Sequence, residues 1–341
     1  MINLYVFGDG GVSDNVRLKY PISHMIQDDN FQYKITAGTI KEGTKLPVDP
    51  NGVYVFSRPM SNVEFAITKI KTDYKEAKII IDIDDSFWNL PKSHVAYSNI
   101  GPGTYNIQSL ERIIPKADVV TVSTEPLKEL IMEKGLAKEI TVIPNICNLD
   151  NPYVGIKRYS PYVRFGFSGT ITHRDDFKLI LDPLIRFIKE HDKAKVVIAA
   201  DVEIYKMLKS IPENKKSFIP PYPYDYYPIQ LSYFDVMLIP LVNDAFNRAK
   251  SDIKVLDAIS NNIPFIASNV TPYAPYNNGE PISWAGLVVE NKADDWYSSM
   301  CYMMSEKNRQ AFVSAGEKIK KEKNVSLSSA MWKTVIQGVL R

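Results

Sequence analysis

Short apolar runs of strand length alternate with helix-length amphipathic stretches along the whole chain, and the alternation passes through two rounds. Such an order selects a mostly parallel sheet wrapped by helices, because parallel neighbours need a crossover and the crossover is usually a helix. In the first round the strands read INLYVFG (2–8), VYVFS (53–57), AKIIIDI (77–83), VVTVS (119–123) and ITVIP (140–144). Helices are expected over 60–73, 106–116 and 125–135, the last with Thr124 as N-cap. The loop PNICNLDNPYVGIKRYSPY (144–162) breaks this rhythm. The second round reads VRFGFSG (163–169), a helix over 175–190, KVVIAA (195–200), a short helix near 203–210, SFIPP (217–221), FDVMLIP (234–240), a helix over 251–260 and PFIAS (264–268). The fold class expected is therefore α/β, with two Rossmann-like doubly wound domains facing a cleft. At 341 residues the chain exceeds the usual size of one domain. We expect domains over 1–155 and 156–322, and a last helix over 323–341 packing back toward the first domain. Ligands of such sheets bind at the carboxyl ends of the strands.

Composition narrows the function classes. No apolar run approaches the length of a membrane span, and the mean hydropathy is −0.18. The start, MINLYVFGDGG, runs straight into a strand without a basic leader, which predicts no targeting segment. Two cysteines, Cys147 and Cys301, form neither a disulfide framework nor a metal-ligand spacing and suit a reducing cytoplasm. Residues 1–150 carry 16 basic and 19 acidic residues, whereas residues 151–341 carry 25 and 20. The second half is the one suited to an anion.

Five stretches can carry chemistry. In AFNRAKSDIKVLDA (245–258), Arg248, Lys250 and Ser251 crowd the start of a helix, with Ser251 as the expected N-cap. Lys254 and Asp257 follow one and two turns after Lys250. A solvated basic face is one reading. The other is a phosphate or diphosphate held by unpaired N–H groups, the dipole end and these cations. In SGTITHRDDFKL (168–179), Gly169 follows a strand and His173 and Arg174 precede a helix, so backbone can approach a phosphate beside a positive charge. In GDGGVSDNVRLKYP (8–21), Gly10 and Gly11 make a turn after the first strand, without the spacing of a dinucleotide fingerprint. IIIDIDDSFWNLPKSH (79–94) ends a strand on carboxylates: Asp82 and Asp84 share one face and Asp85 begins the loop. Closely held carboxylates are a cation site, a base, or turn and cap residues. The loop IPPYPYDYYPIQLSYFD (219–235) is a proline-stiffened surface loop or an aromatic stacking platform.

FDVMLIPLVNDAFNRAKSDIKVLDAISNNIPFIASNVTPY (234–273), FGFSGTITHRDDFKLILDPL (165–184), GLVVENKADDWYSSM (286–300) and VIPN (142–145) together resemble the retaining, family-4-like glycosyltransferases of the GT-B fold. The resemblance covers the second domain almost end to end and is weaker across the first. It implies transfer of a sugar from a nucleoside-diphosphate sugar, a UDP-sugar above others, with retention, without a metal and without a bound cofactor. It implies donor-diphosphate binding by Arg248, Lys250, Ser251, Lys254, His173, Arg174, Gly169, Gly10 and Gly11. Asp257 is implied for the ribose, where the family usually has Glu, and Pro221, Tyr222 and Tyr224 for the nucleobase. Asp84 or Asp85 is implied to orient the acceptor hydroxyl, with His94 as an outside candidate. A second family Glu is replaced here by Ala249, which leaves the sugar contact open. Arg17 matches an arginine common in similar sequences. The acceptor is a glycan or a hydroxymethylated base of phage DNA, the latter suggested by a Lys-, Asn-, Ile- and Tyr-rich composition. A sugar-nucleotide 2-epimerase of the same fold and a non-catalytic sugar-nucleotide binder are the competing readings.

Overall fold

A computed structural model describes residues 2–26, 33–39, 46–277 and 285–341. Contacts divide the chain into two units. The first is Met1–Ile146 with Ala249–Ser251 and Val325–Arg341; the second is Cys147–Arg248 with Asp252–Asn324.

The first unit is built on six parallel strands: β1 (Ile2–Gly8), β2 (Tyr33–Thr39), β3 (Val53–Ser57), β4 (Lys78–Ile83), β5 (Val119–Val122) and β6 (Ile140–Val142). Their order is β2-β1-β3-β4-β5-β6. Every residue of β3 is buried, as expected of a strand covered on both faces. Alternate residues serve two layers. Tyr54, Phe56, Ile79 and Ile81 pack with Ile67 and Ile70 of the helix Ser61–Asp73 and Leu110 of the helix Tyr105–Ile113. Leu4, Val6, Val53, Val55 and Ile80 pack with Ile22 and Met25 and with Trp332, Val335 and Ile336 of the helix Val325–Gly338. The last helix thus completes the core of the first unit. β2 lay outside the strand pattern of the sequence because it is an edge strand, mostly exposed and too polar to read as an apolar run.

The second unit repeats the plan with β7 (Val163–Gly169), β8 (Ala194–Ala200), β9 (Lys216–Phe218), β10 (Val236–Ile239), β11 (Phe265–Ser268) and β12 (Gly286–Val289). All pairings are parallel, in the order β12-β11-β10-β7-β8-β9. The expected helix over 175–190 is two, Arg174–Lys178 and Leu181–Glu190. The chain leaves β1 and β7 in one direction along the sheet and later returns on the other side, so β1/β3 and β7/β10 are switch points. Loops diverge there and open a crevice at the carboxyl ends.

Among the described residues no helix is long and apolar enough to cross a membrane.

Candidate functional site

In the second unit the loops after β7 and β10 flank the switch point. A 3-10 turn, Ile171–His173, carries the chain from β7 into the helix Arg174–Lys178. His173 Nδ1 lies 2.9 Å from Asp176 Oδ2. The other oxygen of Asp176 accepts the backbone N–H of Val242 at 2.8 Å and the side-chain amide of Asn247 at 3.4 Å. Lys254 reaches across from the helix Ile253–Ser260 and donates to the carbonyl of Ser168. A Cβ at Gly169 would meet His173 Cδ2 at 3.1 Å and Lys254 Nζ at 3.2 Å. The missing side chain is therefore what leaves room where these two groups converge. Gly169, His173 and Lys254 come together at the end of β7.

Beside them a shallow open cavity is lined by Asn148, Val154, Tyr224, Tyr227, Pro228, Asp257, Ser260 and Asn261. Tyr224 stacks on Tyr227 at 5.7 Å and 16°. The Tyr227 hydroxyl accepts from Ser168 Oγ at 2.9 Å, which links the cavity wall to the end of β7. Burial raises the Asp257 carboxyl to about 7 against the opposing charge of Lys254. The cavity thus joins two residues that the sequence proposed for ribose and base, Asp257 and Tyr224. Pro221 and Tyr222 are exposed earlier in the same loop.

The remaining donor-site candidates are placed differently. Arg248 ends the short helix Ala245–Arg248 and donates to Asn243 Oδ1 at 3.0 Å. Arg174 lies 3.5 Å from its neighbour Asp175. The N-cap of the helix Ile253–Ser260 is Asp252 and not Ser251. Asp252 already brings a negative charge to that helix start, where Tyr276 and Lys323 donate to it at 2.6 and 2.5 Å. Lys250 and Ser251 precede the helix and cluster with the first unit. Lys250 therefore does not share a helix face with Lys254 and Asp257.

In the first unit the strand ends gather charges. Arg17 is 2 % exposed and makes a two-pronged bond to Asp82, 2.6 and 3.1 Å. It also donates to the carbonyl of Ile143 and, at 3.2 Å, to Asn145. Asp82 is further bonded to Thr121, so this buried pair ties β4, β5 and the end of β6. Arg58, with φ of 47°, grips both oxygens of Asp84 with its Nε and Nη2. It lies 3.6 Å from Asp85 and 3.8 Å from Asp9. Burial works against charge on Asp84, but Arg58, with Arg17 and Lys250, outweighs it and holds its pKa below the ordinary value. Asp84 is thereby a fixed anion with little proton affinity. Lys250 donates to Asp85 at 3.1 Å. Its neighbours are held as well: Thr124 donates to the Ala249 carbonyl at 2.8 Å and Asn145 to Ser251 Oγ at 2.7 Å. The carboxylates are balanced by protein cations, Arg58 and Lys250.

The glycine turn adds one more group. Gly10, with φ of 82°, donates its N–H to Asp14 at 2.7 Å. Gly11 donates to Asp9 at 2.7 Å. Burial and the charge of Asp9 push Asp14 up to about 6, against the Gly10 N–H, Ser57 and Arg58. His94 accepts from the Ala96 N–H at 3.2 Å, a local turn contact. Arg58, Asp14, Asp176 and Tyr227 were not singled out from the sequence. Asp176 had a readable signal in its position three residues after His173 at the opening of a helix, and Tyr227 lies within the tyrosine-rich loop 219–235.

No protein-family model matches the chain, and no curated protein matches it by sequence. Solved structures do match in fold. A glycosyltransferase from Rickettsia africae is 13% identical with a TM-score of 0.69, over 100% of this chain and 99% of that one. Sucrose-phosphate synthase from Thermosynechococcus elongatus is 12% identical with a TM-score of 0.70, over 99% of each chain. HepE from Anabaena, in complex with UDP, is 10% identical with a TM-score of 0.66, over 99% of this chain and 100% of that one. Together with the two parallel six-stranded sheets and their flanking helices, these likenesses show that the chain has the GT-B fold.

Proposed function

We propose that the protein is a glycosyltransferase that moves a sugar, with retention, from a nucleoside-diphosphate sugar to a hydroxyl acceptor. The observation that carries the reading is the convergence of His173 and Lys254 over Gly169, beside the cavity that holds Tyr224 and Asp257. Positive groups over a side-chain-free strand end suit a diphosphate, and a stacking ring with a carboxylate suits a nucleoside. A UDP-sugar is the donor favoured, in keeping with the neighbour solved with UDP.

In this reading Lys254 and His173 stabilise the departing diphosphate, where charge develops as the glycosidic bond breaks. The acceptor oxygen attacks from the same face, and its proton leaves on a phosphate oxygen, so neither a protein nucleophile nor a metal is invoked. Asp84 and Asp85 are assigned to hold the acceptor by accepting hydrogen bonds from hydroxyls. Asp84, gripped by Arg58, suits orientation and not proton abstraction. The excess of acidic over basic residues in 1–150, 19 against 16, opposes a phosphodiester backbone and favours a glycan hydroxyl.

The test is thermal stabilisation of the chain by a panel of nucleotide-sugars. The stabilising donor is then assayed for transfer to glycans and to hydroxymethylated DNA. Stabilisation by a UDP-sugar and transfer to a glycan are expected. Lack of stabilisation by every nucleoside diphosphate would end the donor-site reading, and transfer to DNA alone would reverse the choice of acceptor.

A further inference from the structure

Resting on the donor-site reading, we propose that Asp176 is the positioning residue of the diphosphate subsite. It locks the loops after β7 and β10 together and fixes the His173 proton on Nδ1, so that the ring takes up a second proton and becomes a cation when phosphates arrive. Asp176 is 5 % exposed, and a carboxylate buried to that degree must be satisfied by donors. Its donors come from both sides of the switch point: Val242 N–H and the Asn247 amide on Oδ1, the His173 ring on Oδ2. Loops that diverge from adjacent strands have no ladder to hold them, so one shared carboxylate sets their spacing.

The second effect is on the ring. With Nδ1 bonded to a carboxylate, which only accepts, that nitrogen carries the proton, and Cδ2, on the other side of the ring, faces Gly169, which Lys254 Nζ also approaches. Nε2 can donate to a phosphate oxygen only when the ring is doubly protonated. A carboxylate 2.9 Å away stabilises that imidazolium. Asp176 thus makes His173 a second positive group beside Lys254, without touching the ligand.

A purely structural capping role predicts equal damage to every ligand, and the experiment separates the two. Asp176→Asn keeps an acceptor for Val242 and turns an amide donor toward His173. The full chain is titrated with UDP and with uridine, and imidazole nitrogen signals are recorded on ligand-free protein labelled at histidine. We expect UDP to bind about tenfold more weakly or worse, uridine to be unaffected within about twofold, and the His173 proton to move from Nδ1 to Nε2. His173→Gln, which leaves both loop bonds of Asp176 in place, should show the same phosphate-specific loss. The double variant should be no worse than the more affected single one. Equal losses for UDP and uridine, or an unchanged His173 tautomer, overturn the proposal. So does native UDP affinity in His173→Gln, a result that also stands if Asp176→Asn does not fold. If the native chain binds neither ligand, the donor reading fails, while the tautomer still decides whether Asp176 sets the ring.

Discussion

Asp257 offers a test in which stability and binding move in opposite directions. Burial raises its carboxyl to about 7 from an ordinary 3.8. Between these values the native state holds a proton that the unfolded chain has released. Stability therefore falls as pH rises from about 4 to about 7 and stays lowered above that. Three pKa units correspond to about 4 kcal/mol, an upper limit, because the group lines an open cavity and is partly hydrated; about 2 kcal/mol is the working figure. Asp257→Asn removes the ionisation. At pH 8 it should stabilise the second unit by about 2 kcal/mol, or roughly 4–8 °C in Tm for a domain of 150–250 residues. At pH 4.5 the gain should fall to about half, on the order of 1 kcal/mol. If the carboxylate receives ribose hydroxyls, the same variant should bind UDP roughly tenfold more weakly at pH 8, through loss of a charged acceptor. Differential scanning calorimetry and isothermal titration at the two pH values read these outcomes. A variant that is less stable at pH 8, or more stable with undiminished UDP affinity, refutes the assignment of Asp257 to the ribose.

Three further outcomes follow from the same contacts. Lys254→Ala should weaken UDP binding by roughly 10- to 100-fold while shifting Tm little, as titration and thermal melts on one preparation would show; equal loss of both would favour the solvated-helix reading. Arg17→Met leaves Asp82 buried without its counter-charge and should cost about 3–5 kcal/mol in urea unfolding, with partial recovery on adding Asp82→Leu. Ala249→Glu restores the residue type usual in the resembled family. Ala249 is 4 % exposed, so the variant should lose at least about 2 kcal/mol and gain no transfer activity.

Legibility in the sequence followed local physics. The Thr124 cap was readable and is observed, its hydroxyl accepting from Leu127 N–H. VYVFS read as a strand because all five residues are buried, whereas YKITAGT did not, because an edge strand lacks a second covered face. Gly169 and His173 could be picked out as a turn before a helix, and their convergence with Lys254 rested on a correct strand order. Arg58 could not be found, since nothing around it in sequence announces that Asp84 and Asp85, some 26 residues later, will close on it.

The chain's own periodicity determined that there are two parallel α/β sheets with loops at their carboxyl ends, because apolar burial acts residue by residue along a strand. Which charges meet was decided only by tertiary structure, because an ion pair depends on where two distant segments end. Arg17 and Asp82 are 65 positions apart, Asp85 and Lys250 are 165 apart. The sequence placed Lys250 with Lys254 on one helix; folding gave Lys250 to Asp85 and left Lys254 with Ser168 and the end of β7.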